Sequence, residues 1–201
     1  MFIVMTRTLT TKAVDFDVND IYGHPIKLSS FEGRAVILCF FRDTSSRSTK
    51  NDRIYELTKY CEEWRAAGVE IVTVFQESKA ELLKAFKKRP RPFPVISDSK
   101  LKLFNMYGLK RVVGKDTVSN SKSTGKIASL FKGRWAWMSP VGRVMPAEFL
   151  ITTEGNIRHA WHGRDNLDHI SLERLETFVM SIRVETRKRQ LALERGAVVN
   201  S

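Results

Sequence analysis

The feature that most constrains the fold of this chain is an unbroken run of β-branched, aromatic and other apolar residues, AVILCFF, at Ala35–Phe41. A strand buried on both faces of a sheet has this composition, whereas a strand with one solvated face alternates apolar and polar residues. A second run, VEIVTVF, follows at Val69–Phe75. The two runs predict a central sheet that other elements cover on both faces.

Helical periodicity fills the segments between and after these strands. Asn51–Ala67 is predicted to be a helix, because four of its apolar residues recur on one face. Ser78 and Glu81 form a capping box that starts another helix, and a group of prolines ends it. The last helix begins after Ser171 and is predicted to continue as a charged extension toward the C-terminus.

Two hairpins flank this helical part of the chain. Phe16–Lys27 is predicted to form an N-terminal β-hairpin, and a turn at Glu154-Gly155-Asn156 joins the strands Phe149–Thr152 and Ile157–Trp161. Together with the alternating strands and helices, this order predicts an α/β protein of thioredoxin-like layout. It has a central mixed β-sheet, helices on both faces and a hairpin and helix at the end.

The positive charge is concentrated in one part of the chain. The net charge is +12, and the segment from Ser99 to Ala147 has ten basic residues against one acidic residue, Asp116. We therefore predict one domain over residues 1–182, with a basic insert at about 110–145 before the last hairpin, and a helical extension over 183–201. Since no nucleic-acid motif accompanies the charge, a solvated loop is the preferred interpretation, and nucleic acid is not the expected partner.

Several classes of protein are excluded by what the chain lacks. The longest apolar run is far shorter than the roughly 20 residues of a membrane-spanning helix, so no membrane association is expected. The start of the chain does not resemble a secretory signal, which favours the cytoplasm. With two cysteines, Cys39 and Cys61, the chain forms neither a disulfide scaffold nor a zinc site of several thiolates.

Five short motifs run in order from the opening hairpin to the final strands and cover most of the chain. They are FDVND with Gly23–Leu28, FEGR at Phe31–Arg34, FFR at Phe40–Arg42, FPVISD with Tyr107-Gly108, and FLI with Gly155 and Ile157. In this order they resemble the peroxiredoxin (alkyl hydroperoxide reductase and thiol-specific antioxidant) family of the thioredoxin-like superfamily. The resemblance implies the thioredoxin-like fold and, for a typical member, a thiol peroxidase.

The resemblance breaks at the positions that carry the family's chemistry. The positions that match its reactive cysteines, in a CxxC or a T-x-x-C pattern, are Ser46 and Thr49. A helix N-terminus and nearby positive charge favour a thiolate, which is the nucleophile in such sites. A hydroxyl is far too weak an acid for that environment to ionise, and it forms neither a sulfenic acid nor a disulfide.

Two further residues belong to this vestigial site. Arg42 ends the strand that precedes it. Pro146 occupies the position of the family's usual arginine, and Met145-Pro146 resembles the proline bond that is cis in thioredoxins, so we expect it to be cis. If the layout holds, Pro146 lies close to Ser46 and Thr49, because the strands that carry them are neighbours.

The remaining chemistry-bearing residues have simpler interpretations. Cys39 lies in a buried strand and Cys61 on the apolar face of a helix, where a free cysteine behaves as a small hydrophobe. His159 and His162 are three apart on a strand and point to opposite faces, so they do not suit a shared metal ion. No phosphate or dinucleotide motif is present, and no cofactor or metal is expected.

Three functions remain open at this point. The first is a redoxin-like protein without redox activity that acts in binding or regulation, with an unidentified protein or a small anionic ligand as partner and with a homodimer allowed. The second is an antioxidant thiol peroxidase or disulfide oxidoreductase that has its cysteines replaced or uses an atypical thiol. The third is a basic nucleic-acid-binding module built on the insert.

Overall fold

The computed structural model describes residues 11–44, 53–109, 111–112, 143–165 and 168–199. Ten strands, four α-helices and one 3₁₀ turn at Leu28–Phe31 make up the described part of the chain. In chain order these are β1 Thr11–Lys12, β2 Asp17–Asn19, β3 Pro25–Lys27, β4 Ala35–Phe41, α1 Arg53–Ala66, β5 Val69–Phe75, α2 Lys79–Phe86, β6 Val95–Ser97, α3 Lys102–Met106, β7 Arg111–Val112, β8 Arg143–Val144, β9 Ala147–Ile151, β10 Asn156–His162 and α4 Leu172–Val199.

The centre of the fold is a six-stranded mixed sheet in the order β1-β10-β9-β4-β5-β6. Strands β4, β5 and β6 are parallel, while β9 is antiparallel to β4 and β10 is antiparallel to β9. Every residue of β4 is buried. The sequence prediction of a mixed sheet with a doubly buried central strand is thus confirmed.

Helices cover both faces because successive side chains of β4 point in opposite directions. Ile37, Cys39 and Phe41 pack with apolar residues of α1, α2 and α4 in one core. Val36, Leu38 and Phe40 pack with α3 and the β2–β3 hairpin in the other. The N-terminal hairpin and the capping box of α2, in which Ser78 and Glu81 bond reciprocally, are present as predicted.

The basic insert lies outside the described residues except at its two ends. Strands β7 and β8 pair antiparallel there, with Val112 opposite Arg143. The chain therefore leaves the domain and returns to it at nearly the same point.

Helix α4 starts after Ser171, whose hydroxyl accepts from the backbone N–H of Arg174 at 3.4 Å. The helix crosses the predicted boundary at 182 without a break, and the division into a domain and an extension stays a prediction. Within the described ranges, no helix is long and apolar enough to span a membrane.

Candidate functional site

The candidate site lies where β4 and β5 end at the same edge of the sheet. Phe41 and Phe75, the last residues of these strands, stack with ring centroids 5.1 Å apart. The predicted site residues Ser46 and Thr49 follow β4 directly but lie outside the described residues, so their placement stays a prediction. The described part of the next helix begins at Arg53.

The three residues after β4 are held by ionic and hydrogen-bond contacts. Arg42, one of the predicted site residues, places its Nε 2.5 Å from Oδ2 of Asp43. The backbone N–H and the hydroxyl of Thr44 donate to the two oxygens of Glu77, at 2.7 and 3.1 Å. Burial raises the pKa of Glu77, although the bonds from Thr44 act in the opposite direction. Glu77 therefore ties the segment entering the site to the end of β5.

Pro146 is buried at the start of β9, next to the end of β4. The residue after it, Ala147, pairs with Phe40, which confirms that the two strands are neighbours. The carbonyl of Pro146 accepts a hydrogen bond from the backbone N–H of Gly163 at 2.8 Å. A Cβ on Gly163 would lie 2.8 Å from Cγ of Pro146 and 2.5 Å from the carbonyl oxygen of Asp168, so only glycine fits at position 163.

The expectation of a cis bond at Pro146 is wrong. The described residues contain no cis peptide bond, and Met145-Pro146 is trans. The trans form is the favoured one for a bond to proline, and here the chain passes from β8 through this bond directly into β9.

A buried ionic cluster beside the site was not predicted from the sequence. Oε1 of Glu148 lies 2.9 Å from Nε of Arg53 and 3.2 Å from Nδ1 of His169. The side chains of Arg53 and Glu148 are 4% and 1% exposed. Although these distances are those of ion pairs, none of the three atoms has an aligned hydrogen bond among the described residues.

The rest of the cluster is hydrogen-bonded in the ordinary way. Oε2 of Glu148 accepts from the backbone N–H of Ile170 at 2.7 Å, and the Arg53 guanidinium donates to the Ile170 carbonyl. The cluster thus joins β9, the start of α1 and the loop before α4. An acidic residue inside the short apolar strand AEFLI is the only sequence signal that could have indicated it.

Both cysteines are free and buried, at 0% exposure for Cys39 and 1% for Cys61. Burial raises the pKa of the Cys39 thiol well above its usual value, and the charge of Glu148, opposite it on β9, adds to this effect. Burial also raises the pKa of the Cys61 thiol, despite the opposing charge of Arg65 at 3.5 Å. Neither environment favours a thiolate, which is the reactive form.

The histidines of the last strands have different surroundings. His159 stacks on Trp161 with centroids 6.5 Å apart, whereas His162 meets the edge of Phe149 at 5.8 Å. His169 belongs to the ionic cluster. Among the residues that the structure describes, no group of three or more histidine, cysteine or acidic side chains is arranged to hold a metal ion.

The sheet order and the helical cover on both faces are those of the thioredoxin-like fold. The family model for AhpC/TSA matches residues 9–160, and the chain belongs to this family. It is 23% identical over 176 residues to peroxiredoxin Bcp of Bacillus subtilis (strain 168), which covers 86% of this chain and 96% of that protein.

Solved structures show the same fold. Peroxidoxin BcpB from Mycobacterium tuberculosis matches with a TM-score of 0.60 at 17% identity, covering 87% of this chain and 96% of its own. A protein from Chlorobium tepidum described as the thiol:disulfide interchange protein DsbE matches with a TM-score of 0.58 at 20% identity and the same coverages. At these identities the structures support the fold alone.

Proposed function

We propose that this member of the AhpC/TSA family has no redox activity and acts by binding, as a regulatory or partner-recognition protein. The observation that carries the proposal is the state of its thiols. The chain has two cysteines, and both are fully buried, with raised pKa values. The positions that match the reactive cysteines of the family are Ser46 and Thr49. A thiol peroxidase needs an accessible thiolate. The two cysteines are inaccessible, and Ser46 and Thr49 have no thiol.

The ligand that we propose is a small anion or an extended segment of a protein partner. Two contacts of the described residues support this proposal: Glu77 holds the segment that leaves β4, and Pro146 precedes β9 beside the end of β4. In the family arrangement, free backbone N–H groups at the start of the following helix face this site and attract anions. We further propose a cytoplasmic location, since two free thiols fit a reducing compartment.

Treatment with peroxide followed by mass spectrometry tests the absence of redox chemistry. The native protein is exposed to hydrogen peroxide, then unfolded and alkylated, and we expect both Cys39 and Cys61 to be recovered as alkylated thiols. The matched positive control is Ser46→Cys with Thr49→Cys, in which we expect a disulfide between the two new residues. Oxidation of Cys61 in the native protein would contradict the proposal and favour a peroxidase with an atypical thiol.

A further inference from the structure

The end of α2 carries a cluster of positive charge that is separate from the basic insert. From Ser78 to Ile96 the sequence has six basic residues and one acidic residue, Glu81, which bonds to Ser78 in the capping box. We call the exposed cluster Lys84, Lys87, Lys88 and Arg89 the basic ridge. Because α2 links the parallel strands β5 and β6, it runs back from the edge where β5 ends, and the ridge lies at the end remote from the candidate site.

The charges of the basic ridge have no neutralising partner among the residues that the structure describes. In the described ranges, no carboxylate lies within ion-pair distance of any of its four side chains. By contrast, Arg65 is paired with Glu62 and Glu70, and Arg158 with Glu185. Adjacent like charges repel one another and create a positive local potential that attracts anionic ligands.

An exposed aromatic ring lies beside the ridge. Tyr22, Leu83, Lys84, Phe86, Lys87 and Pro90 line one surface groove. The side chains of Tyr22 and Leu83 are 44% and 37% exposed, so the groove offers apolar surface next to ammonium groups.

The turn that carries Tyr22 is rigidly held. Oδ1 of the buried Asp20 accepts from the backbone N–H groups of Tyr22 and His24, at 2.8 and 2.9 Å. The N–H of Ile21 donates to the carbonyl of Val95 at 2.9 Å, which fixes the turn to the edge of the sheet. The backbone that carries the ring is therefore fixed beside α2, and the ring lines the groove with residues of that helix.

We propose that this groove and the basic ridge bind single-stranded nucleic acid. The ridge would neutralise successive phosphates while an unpaired base stacks on Tyr22, a combination typical of single-strand binding surfaces. A duplex keeps its bases stacked on each other and leaves Tyr22 unused. An acidic peptide without aromatic residues would engage the ridge but has no flat ring for the groove.

Fluorescence anisotropy with a labelled oligothymidylate of about 12 nucleotides tests this inference on the full chain. Four phosphate contacts predict that the affinity falls about 50-fold between 50 and 200 mM salt. Lys84→Glu, Lys87→Glu and Lys88→Glu together should weaken binding more than tenfold. Tyr22→Ala should weaken binding about tenfold and leave the salt dependence unchanged, because it removes stacking and no charge.

The matched control reverses three exposed charges elsewhere. The control variant combines Arg183→Glu, Arg187→Glu and Lys188→Glu, which are exposed positions on α4, and it changes the net charge by the same amount. It should alter the affinity by less than about threefold, because only the long-range effect of charge remains. Circular dichroism of each variant confirms that it is folded. These measurements report on the ridge whether or not the chain has redox activity.

Five results would overturn the inference. The first four are absence of binding at low salt, equal losses of affinity in the ridge and control variants, equal or tighter binding of a duplex of the same length, and equal displacement by polyglutamate. Loss of binding in Lys122→Glu, Lys126→Glu and Lys132→Glu alone would place the interaction on the insert and would also overturn it.

Discussion

Arg53 and Glu148 form a buried ion pair beside the candidate site. Because both are buried, removing Arg53 leaves the Glu148 carboxylate in the core without its guanidinium partner. We expect Arg53→Ala to lower the free energy of unfolding by about 3–5 kcal/mol, measured by urea denaturation. Arg53→Met with Glu148→Leu removes both charges and should be closer to the wild type than Arg53→Ala.

The control for this prediction is Glu56→Ala. Glu56 also pairs with Arg53, at 2.8 Å, but its side chain is 34% exposed. An exposed pair contributes about 1 kcal/mol or less, so Glu56→Ala should have a small effect. If Arg53→Ala and Glu56→Ala lower the free energy of unfolding equally, the buried pair contributes no more to stability than the exposed one.

Sequence reasoning was least successful at single residues. Glu148 was missed because one charged residue in a short apolar strand has the same pattern as a solvent-facing position, and its partners Arg53 and His169 are distant in sequence. The cis bond expected at Pro146 came from the family position rather than from local chemistry. Short-range chemistry was predictable, as in the capping box of Ser78 and Glu81.

At the scale of elements, the C-terminal half of α4 is joined to the β9–β10 turn by one ionic contact. The Arg189 guanidinium pairs with Glu154 and donates to the hydroxyl of Thr153 at 2.9 Å. The hydrogen bond from Arg189 is the main reason that the pKa of Glu154 falls to about 2. This contact holds the helix against the domain beyond its apolar residues.

The contact predicts a specific pH dependence for Glu154→Gln. Since the folded-state pKa lies below the unfolded-state value of 4.5, the stabilisation is complete above about pH 4.5 and is lost as the pH falls toward 2. The side chain of Glu154 is 47% exposed, so the effect at pH 6 should be about 1 kcal/mol or less. The difference in Tm between the variant and the wild type should shrink from pH 6 to pH 3.

The control variant for the pH series is Glu32→Gln, because Glu32 is exposed and has no ion pair in the described residues. Its Tm difference from the wild type should stay near zero at both pH values. If the Tm difference between Glu154→Gln and the wild type grows as the pH falls, the contact of Glu154 with Arg189 does not stabilise the fold.

Elements with strong patterns were predictable, and those without were not. Strands β4 and β5 match the predicted Ala35–Phe41 and Val69–Phe75, since long apolar runs have few alternatives. The predicted helix Asn51–Ala67 is present as α1 at Arg53–Ala66, while its predicted start at Asn51 lies outside the described residues. The two-residue strands β1, β7 and β8 were missed, because pairing of that length depends on the partner strand and leaves no periodicity.

For the whole molecule, the fold and the activity depend on different features of the chain. The order of strands and helices is enough to give the thioredoxin-like architecture, and the AhpC/TSA family model matches most of the chain. Under the proposed function, the activity is decided by the residues at the predicted reactive positions, which are Ser46 and Thr49. The fold by itself implies no peroxidase activity.

Consumption of hydrogen peroxide in the presence of a thiol reductant is the most direct measurement of this claim. With either the wild-type protein or Cys61→Ser, we expect peroxide to be consumed no faster than with the reductant alone. The reason is that Cys39 and Cys61 are buried and the predicted reactive positions, 46 and 49, hold hydroxyl groups. Peroxide turnover by the wild type that disappears in Cys61→Ser would contradict the account and identify Cys61 as the nucleophile.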